Sequence, residues 1–96
     1  MIKVRVYTIL ALKKILGQRE FDVSLPSEST VKDLLSWMVD RWGDELSSHL
    51  FSPGSDSPLP QIRLMVNGRS VEFLDGMDTA LHEGDEFLML PLVSGG

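Results

Sequence analysis

A chain of 96 residues with 43% hydrophobic content suffices for one domain, able to bury about 60–65% of its unfolded surface. Its net charge of −5 argues against a nucleic-acid partner, which calls for a basic stripe, and the absence of cysteine removes disulfides, thiol nucleophiles and thiolate metal sites. The first ten residues alternate where a signal peptide would be a block, and no apolar run approaches the roughly 20 residues of a membrane span; a cytoplasmic location is expected, with no membrane partner.

In chain order, Ile2, Val4 and Val6 alternate with Lys3, Arg5 and Tyr7, the period of a half-buried strand. Ile9, Leu12, Ile15 and Leu16 fall at helical spacing, and Gly17 is placed to end a short helix. Glu20 to Leu25 alternates again, with Phe21, Val23 and Leu25 on one side, and stops at Pro26. The main helix follows, capped by Ser29 or Thr30; Thr30-Val31-Lys32-Asp33 is a capping box with Asp in place of Glu or Gln. Val31, Leu34, Leu35, Met38, Val39 and Trp42 form one apolar stripe, with Trp37 on its flank as a partly buried edge residue or a contact residue. Gly43 ends this helix, and Glu45 to Phe51 adds a further turn led by Asp44 as cap.

The stretch 52–60 holds three of the five prolines and nothing periodic, so it reads as a loop or insertion. Ile62, Leu64 and Val66 alternate as a third strand, and Asn67-Gly68 is a two-residue hairpin signal that sends the chain back through Val71 and Phe73. Gly76 lies in a turn, Asp78-Thr79 is placed to start a helical turn carrying Leu81, and Gly84-Asp85 opens a last strand stopped by Pro91. Five short strands and one long helix predict an α+β domain over residues 1–96, a mixed sheet with the helix on a single face. The final strand is expected in mid-sheet, parallel to the first.

Phe87, Leu88, Met89 and Leu90 are all apolar, so this strand offers hydrophobic side chains to both sheet faces while one helix covers only one. Phe87 or Met89, whichever faces away from the helix, is therefore expected at an interface with another protein; cover by the 52–60 loop or the Ile9–Leu16 segment is the alternative. Pro91-Leu92-Val93-Ser94-Gly95-Gly96 then has no apolar periodicity and reads as a flexible tail reaching at most about 20 Å. Its two glycines lack a Cβ and can enter a slot too narrow for other residues, so the tail suits presentation of a terminal carboxylate to a partner's active site; a frayed end is the plainer reading. Elsewhere the signals for chemistry are poor. His49 and His82 are far apart without a metal-ligand grouping, Glu83, Asp85 and Glu86 suit a turn and a solvated edge, and Ser94 has no local base. No self-contained active site and no metal site are expected.

The ordered set Asn67-Gly68, Asp78-Thr79-x-Leu81, Gly84-Asp85-Glu86, an apolar strand, a proline and Val93-Ser94-Gly95-Gly96 resembles the second half of the ubiquitin-like sulfur carriers, above all the MoaD-type small subunit of molybdopterin synthase. The opening strand and the Ser29–Leu35 helix start agree; Leu92 departs from the family's pattern, where a second proline commonly stands. The resemblance implies a β-grasp fold. It further implies that a MoeB-type, ubiquitin-activating-like adenylyltransferase uses MgATP to adenylate the carboxylate of Gly96, and that a sulfur donor displaces AMP to leave a thiocarboxylate. The loaded tail would then enter a MoaE-type large synthase subunit and give its sulfur to the pterin precursor. Gly95 and Gly96 would keep side chains out of both active sites, Val93 and Ser94 would contact the walls, and Pro91 and Leu92 would complete the tail held in the partner's active site. On this reading the chain binds no cofactor itself. Two alternatives stay open: a carrier for another product such as thiazole, and a ubiquitin-like modifier joined to target lysines through Gly96.

Overall fold

The computed structural model describes residues 1–51 and 62–91. The elements run β1 (Ile2–Thr8), α1 (Leu10–Leu16), β2 (Glu20–Leu25), α2 (Val31–Trp42), α3 (Asp44–Leu50), β3 (Ile62–Val66), β4 (Arg69–Ser70), single 3-10 turns at Val71–Phe73 and Gly76–Asp78, and β5 (Glu86–Pro91). The sheet order is β2-β1-β5-β3-β4. β1 pairs antiparallel with β2, while β5 lies parallel to β1 and antiparallel to β3. The sheet is mixed, and its last strand is central, as the sequence led us to expect.

Alternation decides the two faces of the sheet. Val4, Val6, Val23, Leu25, Leu64, Val66, Phe87 and Met89 are buried, and they pack in one cluster with Leu34, Leu35 and Met38 of α2 and Leu46 and Leu50 of α3. Leu12 and Leu16 of α1 join the same cluster, so the Ile9–Leu16 segment does not cover the opposite face. The 52–60 stretch lies outside the described residues. Gly17, with φ +76°, ends α1 in the left-handed region and donates its N–H to the Lys13 carbonyl.

The Thr30–Asp33 box at the start of α2 is fully formed. The Thr30 hydroxyl accepts from the Asp33 N–H at 3.4 Å, and the Asp33 carboxylate accepts from the Thr30 N–H at 2.9 Å. Aspartate's shorter side chain therefore still reaches. The turn into α3 is set by Gly43, with φ +73°, which occupies the N-cap position; Asp44 is the first residue of the helix instead of its cap. A glycine that closes one helix and opens the next leaves no room for a side-chain cap between them.

In the second half one local expectation is met and two are corrected. Asn67 and Gly68 both have positive φ, 51° and 84°, as a primed two-residue hairpin requires. The returning strand, however, ends after Ser70. Its hydroxyl accepts from the Glu72 N–H at 3.4 Å, and this local bond turns the chain into a 3-10 turn over Val71–Phe73 in competition with the ladder. Val71 drops into the core and Phe73 is left 85% exposed. The second turn ends at Asp78 instead of starting there: the Thr79 hydroxyl donates to the Gly76 carbonyl at 2.7 Å and accepts from the Asp75 N–H at 3.1 Å, closing it. The strand-like pairs Val31 N–H to Thr79 carbonyl and Leu81 N–H to Ser29 carbonyl then tie residues 79–81 to the start of α2. Among the described residues, no buried side-chain polar atom lacks a hydrogen-bond partner.

Candidate functional site

The site is the strand that carries the chain to its C-terminus, with the sheet face beside it. β5 has a strand on each side, and its last pairing is Pro91 with Ile62. Beyond that point Leu92, Val93, Ser94, Gly95 and Gly96 lie outside the described residues. β5 thus anchors whatever follows it through two ladders.

Phe87 and Met89 are not on the partner-facing side. Both are fully buried: Phe87 is registered with Val6 and Val66, and Met89 with Thr8 and Leu64, all four of them buried on the helix face. Residues two apart in a strand share a face, so one of this pair could not be inside and the other outside. The residues presented on the open face are Leu88 and Leu90, both half-buried. Leu88 is registered with Tyr7 on β1 and Met65 on β3, giving a half-buried apolar row across the sheet centre. The sequence held a signal for this parity: Glu86 must face water, and Leu88 and Leu90 follow it at period two.

Beside the apolar row the open face is charged. Arg5 donates to Asp22 at 3.0 Å and to Glu20 at 3.4 Å, bridging β1 and β2. The Tyr7 hydroxyl donates to the Glu86 carboxylate at 3.0 Å. That hydrogen bond holds the phenol's pKa above its ordinary value, with desolvation and the neighbouring carboxylates acting in the same direction. Lys3, Arg5, Tyr7, Asp22, Glu83 and Glu86 line a shallow polar hollow there, whose surplus of acids over bases gives that half of the face a negative sign.

The Asn67 and Asp85 side chains fix the entry to β5. Asn67 donates its amide to Asp85 at 2.9 Å and accepts from the Glu86 N–H at 2.9 Å, while its backbone N–H donates to the Glu86 carbonyl at 2.8 Å. The second Asp85 oxygen accepts from the His82 N–H at 2.8 Å. The hairpin and the turn before β5 are thereby one unit. The His49 Nδ1 lies 2.9 Å from the Glu45 carbonyl of its own helix and His82 stands 78% exposed by Asp85, so the two histidines are not brought together. Among the described residues no three His, Asp or Glu are placed to hold a metal ion.

A small ubiquitin-like sheet whose central strand delivers the C-terminus matches one family over residues 9–96, the ThiS family. The chain belongs to the ThiS family. It is 33% identical over 84 residues to small archaeal modifier protein 3 of Haloferax volcanii, covering 88% of each chain. It is 34% identical over 76 residues to a protein of Archaeoglobus fulgidus assigned as a sulfur carrier, covering 78% of this chain and 84% of that one. Among solved structures, a Pyrococcus furiosus protein assigned as subunit 1 of the molybdopterin converting factor superposes with a TM-score of 0.77 at 26% identity, covering 97% of this chain and all of the other. The fold is the β-grasp, and this ThiS-family chain is a ubiquitin-like sulfur carrier or modifier with a MoaD-like relative.

Proposed function

We propose that this chain is the sulfur-carrying small subunit of a molybdopterin synthase, and that its working group is the carboxylate of Gly96. The observation that carries the reading is the union of a family match running to Gly96 with a β5 held between β1 as far as Met89 and β3 as far as Pro91. A carboxylate is ionised near neutral pH, with a reference pKa of about 3.3–3.7, and is a poor electrophile. The chemistry therefore belongs to partners. An adenylyltransferase forms a bond from a Gly96 carboxylate oxygen to the α-phosphorus of MgATP and releases pyrophosphate. Sulfide from a donor then attacks the acyl carbon and AMP leaves, giving a thiocarboxylate; its sulfur is transferred to the pterin precursor within the large subunit, and water returns Gly96 to the carboxylate.

On this reading the open face, with its row of Tyr7, Leu88 and Met65, docks the partner that receives the tail. A half-buried apolar row flanked by acids is available for contact, and β5 runs from it directly into the terminus. Conjugation to target lysines through Gly96 is the second reading, favoured by the 33% identity to a small archaeal modifier protein. Intact mass of the protein from its native cells separates the two. Exchange of one terminal oxygen for sulfur is expected; a ladder of large adducts with no thiocarboxylate would overturn the carrier reading.

A further inference from the structure

The sheet has two edges of different character. β4 is two residues long, whereas β2 spans six residues and, among the described residues, pairs on one side only. The register shows which backbone groups of β2 are spare. The Thr8 N–H donates to the Arg19 carbonyl, while the Arg5 N–H donates to the Asp85 carbonyl, away from β2. Even-numbered β1 residues therefore bond to β2, in the pairs Val6–Phe21 and Val4–Val23. By antiparallel alternation Glu20, Asp22 and Ser24 aim their N–H and C=O groups outward. The strand has no proline, lysine or bulge to blunt this edge; its charges are the two acids Glu20 and Asp22, which disfavour an acidic or identical neighbour and leave the edge open to a basic one.

We propose that β2 is a receptor edge for an extended segment of a partner protein in which apolar and basic residues alternate. The side chains flanking the edge dictate that pattern. On the helix face Phe21 packs against Trp42 at 5.4 Å, Trp42 against Trp37 at 6.2 Å, and Trp37 remains 36% exposed. On the open face stand Glu20 and Asp22, whose side chains are 45% and 40% exposed although each meets Arg5. A strand added to β2 sends successive side chains to these two faces in turn, one aromatic and one acidic. A second copy of this chain is the wrong complement, because its own free edge carries the same two acids on the same face. The surface is distinct from the Tyr7–Leu88–Met65 row, and the inference does not depend on the sulfur-carrier reading.

The test uses a short capped peptide of alternating lysine and isoleucine, titrated into the full chain. The only two tryptophans of the protein lie at the site, so saturable change in their emission reports binding. Amide shifts in a two-dimensional spectrum are expected at Glu20, Asp22 and Ser24. Methylating alternate backbone nitrogens of the peptide, which removes its donors and leaves its charge, should weaken binding about ten-fold or more; a block-ordered peptide of the same composition should also bind weakly. The E20K/D22K variant should lose the lysine peptide and bind its glutamate counterpart instead. Equal binding of the methylated peptide, shifts confined to the Tyr7 row, no binding at all, or a free protein that sediments as a dimer through β2 would each overturn the proposal.

Discussion

At the scale of single residues, Tyr7 offers a clean measurement because it is the only tyrosine in the chain. Its hydrogen bond to Glu86 keeps the phenol protonated to higher pH in the folded state than in the unfolded one, where tyrosine titrates near 10. The stabilisation is thus fully present below the unfolded pKa and is lost as pH rises through the higher folded value. Ultraviolet titration of the phenolate should show a midpoint above 10, and Glu86→Gln should bring it down; an unchanged midpoint in the variant would remove Glu86 as the cause. A second pair of substitutions tests the parity of β5. Phe87→Ala should cost about 3–5 kcal/mol in denaturant unfolding, since it empties a fully buried site. Leu88→Asp should leave a folded protein with partner affinity lowered about ten-fold or more, as for a central interface residue. The reverse pattern, Leu88→Asp unfolded and Phe87→Ala mild, would put the open face on the wrong side. The open face itself was legible in the sequence, but Phe87 and Met89, one of which was expected on it, both belong to the core. The error was to treat four consecutive apolar residues as interchangeable, when the charge at Glu86 had already assigned them to faces.

At the scale of elements, periodicity located what burial dictates, and side-chain hydrogen bonding altered what it does not. The apolar stripe of α2 placed Val31, Leu34, Leu35 and Met38 in the core, because nothing local competes with a capped helix that buries one face. The stretch after the hairpin failed as a strand because Ser70 bonds forward to Glu72, and the turn at Gly76–Asp78 was displaced because Thr79 closes it. A hydroxyl able to bond its own backbone shifts an element boundary by two or three residues without changing the hydrophobic pattern. Asn67 and Asp85 show the opposite case, where two turn residues prove to be one device. Each turn is readable by itself, but the bond between them spans 18 positions and needs the fold. Asp85→Ala removes the acceptor for both the Asn67 amide and the His82 N–H, and should destabilise the protein by roughly 1–3 kcal/mol. The loss should appear as faster amide exchange at Asn67, Gly68 and Glu86. Exchange spread evenly over the sheet would mean that the bonds do not form a local lock.

At the scale of the whole molecule, the core and the terminus are separable. Among the described residues, the buried cluster ends along the chain at Met89 and the last sheet pairing is at Pro91, five residues short of Gly96. Deleting Gly96, or adding one residue after it, should therefore leave the unfolding midpoint unchanged, because the described cluster and ladders keep all their members. The same change should abolish sulfur loading. β5 fixes the origin of the tail, so removing or adding one residue moves the carboxylate by about 3.5 Å relative to any partner docked on the sheet. A misplacement of about 1 Å at a reacting atom can already cost about 100-fold. Gly96→Ala keeps the carboxylate in register and adds only a methyl group, so it should retain a measurable fraction of the activity. The assay is acyl-adenylate formation with the cognate activating enzyme, followed by detection of the thiocarboxylate by mass. A deletion that loads sulfur as well as the parent would show that register with β5 does not matter, and the reading of this sheet as a platform for its own C-terminus would fail.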